Sequence, residues 1–247
     1  MGLFDFLNKL PIVNEMTGSF GEWLAKNYAK VTTDALVLHD VLIDGENGYT
    51  SQIDMILVGT KGLYVVEVKM YADAKVYGDG NKSKWYYYNH GKKYEIYSPV
   101  KQNQKHIKYL KEFLKDFGDV PCFSIVTVIC DDFKVSNINR SDTVETMVCN
   151  SLPAMNDSIK IIAKDKPVVF DEAKKKEIFD FIQNNQRTGK DARKQHKEEV
   201  KSYKDNLEEM KQQKICPYCK VSLVKRNGKF GEFYGCPNYP KCRYTMK

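Results

Sequence analysis

The chain lacks most of the features that settle a protein's class at a glance. No apolar run in its 247 residues is long enough to span a bilayer, so neither a membrane helix nor a membrane partner is expected. The opening stretch, Met1 to Pro11, has no charged n-region and no small-residue cleavage site, which argues against a signal peptide. Position 6 is Phe6 rather than Ser or Thr, so the myristoylation pattern fails. Residues 1–17 read instead as a short amphipathic segment. Histidine is scarce: His39, His90, His106 and His196 show no ligand spacing, and each reads as a surface or structural residue. No Gly-x-x-x-x-Gly-Lys-Ser/Thr phosphate loop is present, so the chain has no ATPase of its own and a partner helicase stays open. No Gly-x-Ser-x-Gly elbow appears, and no internal repeat. Seven cysteines, four of them gathered at the C-terminus, do not form a disulfide framework. Cys122, Cys130 and Cys149 lie in apolar runs and read as buried thiols. A reducing cytoplasm fits this usage best.

Charge is unevenly placed. Residues 1–186 carry 23 Lys+Arg against 25 Asp+Glu, and residues 187–247 carry 16 against 7. A near-neutral body with a basic tail points to a polyanion as the tail's partner, or to a solvated helix that keeps the protein in solution.

Hydrophobic periodicity divides the chain further. Residues 18–186 read as one α/β domain. It opens with a helix over Ser19–Lys30. Strands are expected at Ala35–Ile43, Ile53–Val58, Leu63–Met70, Lys75–Tyr77, Trp85–Tyr88, Pro121–Cys130 and Thr143–Cys149. A helix over Pro99–Phe117 has Ser98 as its N-cap and Gly118 as its stop. A second, capped by Asp171, runs to Gln186. Residues 187–214 are almost wholly polar, with Val200, Tyr203, Leu207 and Met210 forming a thin seam. They predict a charged helical linker, with weak dimerisation as the lesser option. Residues 215–247 form a small cysteine module.

The module reads Cys216-Pro-Tyr-Cys219, sixteen residues, then Cys236-Pro-Asn-Tyr-Pro-Lys-Cys242. Two pairs on tight turns can set four thiolates tetrahedrally about Zn²⁺, and so short a segment needs the metal in order to fold. It resembles the C4 zinc ribbons of type IA topoisomerases. The resemblance is carried by Cys216-Pro-x-Cys219, Lys229-Phe-Gly-Glu-Phe-Tyr-Gly-Cys236 and Asn238-Tyr-Pro-x-Cys242-Arg-Tyr-Thr245. It implies single-stranded DNA as the ligand. Phe230, Phe233, Tyr234, Tyr239 and Tyr244 can stack on bases or pack around the metal, while Lys225, Arg226, Lys229 and Arg243 can meet phosphates.

Asp54 lies in one apolar run and Glu67 and Lys69 in the next, across a turn at Thr60–Lys61 followed by Gly62. This reads as a β-hairpin. Alternation puts Glu67 and Lys69 on one face. Two carboxylates converging there suit a hard cation, and an adjacent ammonium can hold a water or steady a phosphate. Gly21-Glu22 in the first helix and Ser98-Pro-Val-Lys-Gln102 at a helix N-terminus could complete the group.

Together, Gly21-Glu22, Gln52-Ile-Asp54, Gly62-Leu-x-Val-Val-Glu67-Val-Lys69, Trp85 and Pro99-x-x-Gln102 resemble a nuclease-related domain of the PD-(D/E)xK superfamily across roughly residues 18–130. The family commonly has Asn before the Pro, where this chain has Ser98. The resemblance implies a three-layer α/β/α, restriction-endonuclease-like core around a mixed sheet, with Mg²⁺ or Mn²⁺ as cofactor. It implies that Asp54 and Glu67 bind the metal, with the carbonyl of Val68 as a further ligand. Lys69 would orient or deprotonate the attacking water, Glu22 would complete the metal shell or hold a second ion, and Gln102 would position substrate or water. The expectation is a metal-dependent deoxyribonuclease whose ribbon grips DNA, in processing, repair or defence. An inactive nucleic-acid-binding adaptor and a nuclease acting on RNA are the alternatives.

Overall fold

The computed structural model describes residues 25–27, 29, 34–45, 48–71, 73–138, 144–164, 166–229 and 231–246. The expected N-terminal segment 1–17, most of the Ser19–Lys30 helix with Glu22, and Phe230 lie outside the described residues. Two units are distinguished, Met1–Arg187 and Thr188–Lys247.

In the first unit, β1 (Leu36–Asp44), β2 (Thr50–Gly59) and β3 (Gly62–Met70) form an antiparallel meander. Gly62 closes the β2–β3 turn at φ +137°, and a Cβ there would stand 2.6 Å from the Pro121 carbonyl, so only glycine fits. The chain then builds a second sheet from β4 (Ala74–Asp79), β5 (Lys84–Asn89) and β6 (Lys92–Tyr97), before helix α1 (Pro99–Phe113). Ser98 Oγ accepts from Lys101 N, and Pro99 occupies the first turn, where its missing N–H costs nothing. The expected extension of this helix to Phe117 is a separate 3₁₀ turn, Lys115–Phe117.

Next, β7 (Cys122–Ile129) pairs parallel to β3, and β9 (Thr146–Cys149) parallel to β7. The main sheet is therefore mixed, in the order β1-β2-β3-β7-β9. Between them β8 (Asp132–Ser136) joins β4, giving the second sheet the order β6-β5-β4-β8. Helices α2 (Leu152–Lys164) and α3 (Glu172–Asn185) follow.

The sheet's two faces make two cores. On one, Ile107, Leu110 and Leu114 from α1 and its end, with Ile178 and Ile182 of α3, cover Ile56, Val58, Leu63 and Val65. On the other, Met155, Ile159 and Ile162 of α2, with Ala25 and Ala29, cover Met55, Leu57, Tyr64, Val66 and Ile125. The expected three layers are present. Helix α2 went unanticipated, as did β6 and β8. Pro153 at its start and the polar residues of β6 hide the usual periodicity, although Pro is harmless in a first turn.

The second unit comprises α4 (Gly189–Gln212) and a three-stranded sheet of β10 (Val224–Gly228), β11 (Gly231–Gly235) and β12 (Thr245–Met246). No residue of α4 is buried. No described helix is long and apolar enough to cross a membrane.

Candidate functional site

Alternation along β3 directs Leu63, Val65, Glu67 and Lys69 toward α1. Glu67 is 0% exposed. Its Oε1 is ion-paired with Lys69 Nζ, and its Oε2 lies 3.4 Å from His106 Nε2 on α1. Neither oxygen accepts a hydrogen bond of ordinary geometry. Burial acts to raise the Glu67 pKa, but the Lys69 ammonium and then His106 outweigh it and hold the carboxyl below its ordinary value. Lys69 answers in kind. Burial acts to lower its pKa, and Glu67 and then Asp54 overcome that, so Lys69 stays an ammonium well into the alkaline range.

Asp54 is reached by a break in the sheet. Pairing of β1 with β2 runs from Leu36↔Val58 to His39↔Met55 and resumes at Val41↔Ile53, passing over Asp40 and Asp54. Asp40 sits at φ +53°, and Gln52 Nε2 donates to its Oδ1 at 2.6 Å. Consequently Ile53 and Ile56 share one core although they are three residues apart, as do Leu38 and Val41. Such irregularities re-aim side chains at functional positions. Here Asp54 Oδ2 accepts the N–H of Val68 at 2.8 Å, locking the carboxylate between Glu67 and Lys69 along the chain. Asp54 is 9% exposed.

Helix α1 supplies the other wall. Asn103 is wholly buried, and its Nδ2 lies 2.8 Å from Val65 O, 2.9 Å from Ser124 Oγ and 3.3 Å from Ile125 O. That amide pins the helix to the centre of the sheet. Its neighbour Gln102 has Nε2 3.4 Å from His106 Nε2, and His106 Nδ1 is 2.7 Å from Ser51 Oγ. Of the two readings given for His106, surface or structural, its burial favours the second. It is 8% exposed and stands directly against Glu67. The four-residue offset from Gln102 was the signal, since i and i+4 share a helix face. Asp54, Glu67, Lys69 and Gln102 come together with His106 and Ser51, while Glu22 lies outside the described residues.

Two mostly buried carboxylates, one with both oxygens short of hydrogen bonds, are a donor set that fits a divalent cation. By contrast, burial pushes the Cys122 thiol up to about 12 and the Cys130 thiol up to about 11. Both are inert core groups at neutral pH.

In the second unit the sulfurs of Cys216, Cys219, Cys236 and Cys242 all lie within 4.8 Å of one another, and none is disulfide-bonded. Cys216 Sγ and Cys242 Sγ are 3.7 Å apart. A tetrahedron with metal–sulfur distances of about 2.3 Å has edges of about 3.8 Å, so the set fits Zn²⁺. The ribbon aromatics sort themselves. Tyr234 and Tyr244 pack against the cysteine cluster. Phe233 lies over Gly228 and Gly235, where any Cβ would press on its ring. Tyr239 is 60% exposed, with Arg226 5.9 Å from its ring centre. Tyr218, which the sequence reading passed over, is 73% exposed. Among the phosphate candidates, Lys225 is paired with Glu232 at 2.9 Å, and Lys229 and Arg243 are exposed.

Comparison with known proteins divides along the same line. Residues 17–129 match the nuclease-related domain, and residues 213–247 match the topoisomerase DNA binding C4 zinc finger. An uncharacterized protein of Bacillus anthracis is 34% identical over 115 residues, 46% of this chain and 53% of that protein. DNA topoisomerase 1 of Methanocaldococcus jannaschii is 49% identical over 39 residues, 16% of this chain and 5% of the topoisomerase. DNA topoisomerase 1 of Helicobacter pylori is 53% identical over 32 residues, 13% and 4% of the two chains. The chain thus spans about half the length of the first relative and about a twentieth of the topoisomerases. No solved structure matches it. The four clustered thiols and this family match together support a structural zinc site.

Proposed function

We propose, for a chain that carries a nuclease-related domain followed by a topoisomerase-type C4 zinc ribbon, that it is a metal-dependent nuclease hydrolysing DNA phosphodiester bonds. The observation that carries this reading is Glu67, a fully buried carboxylate facing Lys69, with Asp54 tied to the intervening Val68. Asp54 and Glu67, with the carbonyl of Val68, would hold Mg²⁺ or Mn²⁺. When bound, such an ion stabilises charge on the phosphate and acidifies a coordinated water.

The chain's own groups do the rest. Lys69, kept charged by Glu67 and Asp54, suits orienting the water and neutralising the phosphate better than accepting a proton. His106, itself held by Ser51, stands against the Glu67 carboxylate from the α1 side. Gln102, at the helix N-terminal turn, presents an amide to substrate or water. Glu22 would complete the metal shell. In the ribbon, zinc is structural, and exposed Tyr239 with Arg226, Lys225, Lys229 and Arg243 would grip DNA, with single strands favoured because stacking needs an unpaired base. A domain of residues 18–186, a linker of 187–214 and a ribbon of 215–247 then divide the labour between chemistry and capture, in the cytoplasm where DNA is met.

Supercoiled plasmid, linear duplex and single-stranded circular DNA, incubated with Mg²⁺, Mn²⁺ or EDTA, test this. Metal-dependent cutting that Asp54→Ala and Lys69→Ala abolish supports the nuclease. DNA left intact in every lane but retarded on a gel moves the reading to a binding adaptor.

A further inference from the structure

Beyond Lys69 the strand direction continues. Tyr71 N donates to Ile129 O at 2.8 Å, extending the β3–β7 pairing by one residue past the strand proper. Tyr71 therefore lies on the same face as Glu67 and Lys69, about 7 Å along the strand from the lysine. Its ring stacks on Tyr87 of β5 at 4.8 Å and 26°, and Tyr87 stacks on Tyr94 of β6 at 4.8 Å and 13°. Tyr87 and Tyr94 are direct cross-strand partners, so the ladder is built into the register of the hairpin. It starts beside the carboxylate–lysine group, where Tyr71 and Tyr87 pack with Val126 and Val128. It ends at Tyr94, which is 41% exposed. Among the described residues no ring covers the outer side of Tyr94. On the opposite face of the same hairpin, Lys93 Nζ sits 3.8 Å above the Tyr86 ring.

A near-parallel aromatic stack that begins at a phosphate-directed lysine and opens to solvent has the shape of a base-stacking platform. We infer that Tyr94, backed by Tyr87 and Tyr71, stacks an unpaired nucleobase close to the scissile phosphate, so that the first unit itself selects single-stranded or frayed DNA. Paired bases are stacked on their neighbours and cannot add to the ladder without melting, whereas a free strand can. The pre-stacked rings lose little freedom when a base joins them, because packing already fixes Tyr71 and Tyr87.

This inference rests on the nuclease reading above, and its test separates the two. The zinc-loaded full-length protein, with no Mg²⁺ or Mn²⁺ added, is mixed with a single-stranded oligonucleotide carrying 2-aminopurine, using wild type, Tyr94→Ala, Tyr94→Phe and Tyr94→Trp. Tyr94 is an exposed terminal ring, and Phe and Trp preserve stacking. The expected result is about a tenfold loss of single-strand affinity in Tyr94→Ala, with quenching reduced, and near-wild-type behaviour in Phe and Trp. Duplex affinity should not change. In Mg²⁺, an abasic site walked past the cut position should slow wild type about tenfold at one position and leave Tyr94→Ala no slower there. If nothing is cut, the nuclease reading fails while the fluorescence still decides the stack. If Tyr94→Ala quenches, binds and cuts single strands like wild type, the platform is refuted and the tyrosines merely stiffen the hairpin.

Discussion

Replacing Lys69 with methionine should reverse the pH dependence that Glu67 contributes to stability. In the wild type the folded Glu67 pKa lies below its ordinary value. Its contribution is therefore complete above about pH 4.5 and is lost as pH falls through the folded value. Lys69 is raised, so its contribution is complete below about pH 10 and is lost only as pH climbs through its folded value. Between those limits the pair is intact.

Lys69→Met leaves a carboxylate at 0% exposure with only His106 against it. Burial then dominates and pushes the carboxyl up, so the variant loses stability as pH rises above about 4.5. Removing one partner of a buried pair costs about 3–5 kcal/mol. Because the Lys69 side chain is itself 28% exposed and His106 remains, the cost falls at or just below that range, about 2–3 kcal/mol at neutral pH. For a unit of this size that is roughly 5–10 °C in Tm. Urea denaturation followed by tryptophan fluorescence, at pH values from about 4 to about 8, reads it directly, since Trp85 is fully buried in this unit. The gap between wild type and variant should be small near pH 4 and widen toward pH 8. Equal stability at neutral pH, or a gap that does not widen, would refute the buried pair.

Other outcomes follow from the same geometry. Gly78→Ala would set a Cβ 2.3 Å from the buried Trp85 indole, and should destabilise the first unit by about 1–3 kcal/mol in the same denaturation assay. Asn103→Leu removes the amide that joins α1 to β3 and β7, and should cost about 1–3 kcal/mol while lowering kcat more than it raises KM, as measured on a soluble oligonucleotide. Chelating zinc, or Cys219→Ser, should release about one zinc per chain by mass spectrometry, unfold the ribbon and weaken DNA binding, while leaving the Trp85 unfolding transition in place.

Legibility in the sequence followed how local each cause is. The zinc ligands were plain because two short turns carry all four. Strands β3 and β7 were plain because continuous apolar runs have little else to be, and α1 because Ser98 and Pro99 mark its start. Glu67 and Lys69 emerge from period two alone. The break at Asp40 and Asp54 did not, since Val37-Leu-His-Asp40-Val-Leu-Ile43 reads as ordinary strand and only the pairing shows where alternation resets. His106 was missed because its partner is Glu67, which lies 39 residues earlier in the chain and meets it only through the packing of α1 on β3. The tyrosine ladder depends on the β5–β6 register and on Tyr71 continuing β3, and neither is visible in a run of aromatic letters.

The central claim is that Asp54 and Glu67 hold a divalent ion. An anomalous difference map from crystals of the zinc-loaded protein grown in Mn²⁺ tests it most directly. The account predicts a manganese peak within about 2–2.5 Å of a carboxylate oxygen from each residue, absent in Glu67→Gln. A zinc peak at the four cysteines with no manganese between Asp54 and Glu67 would contradict it.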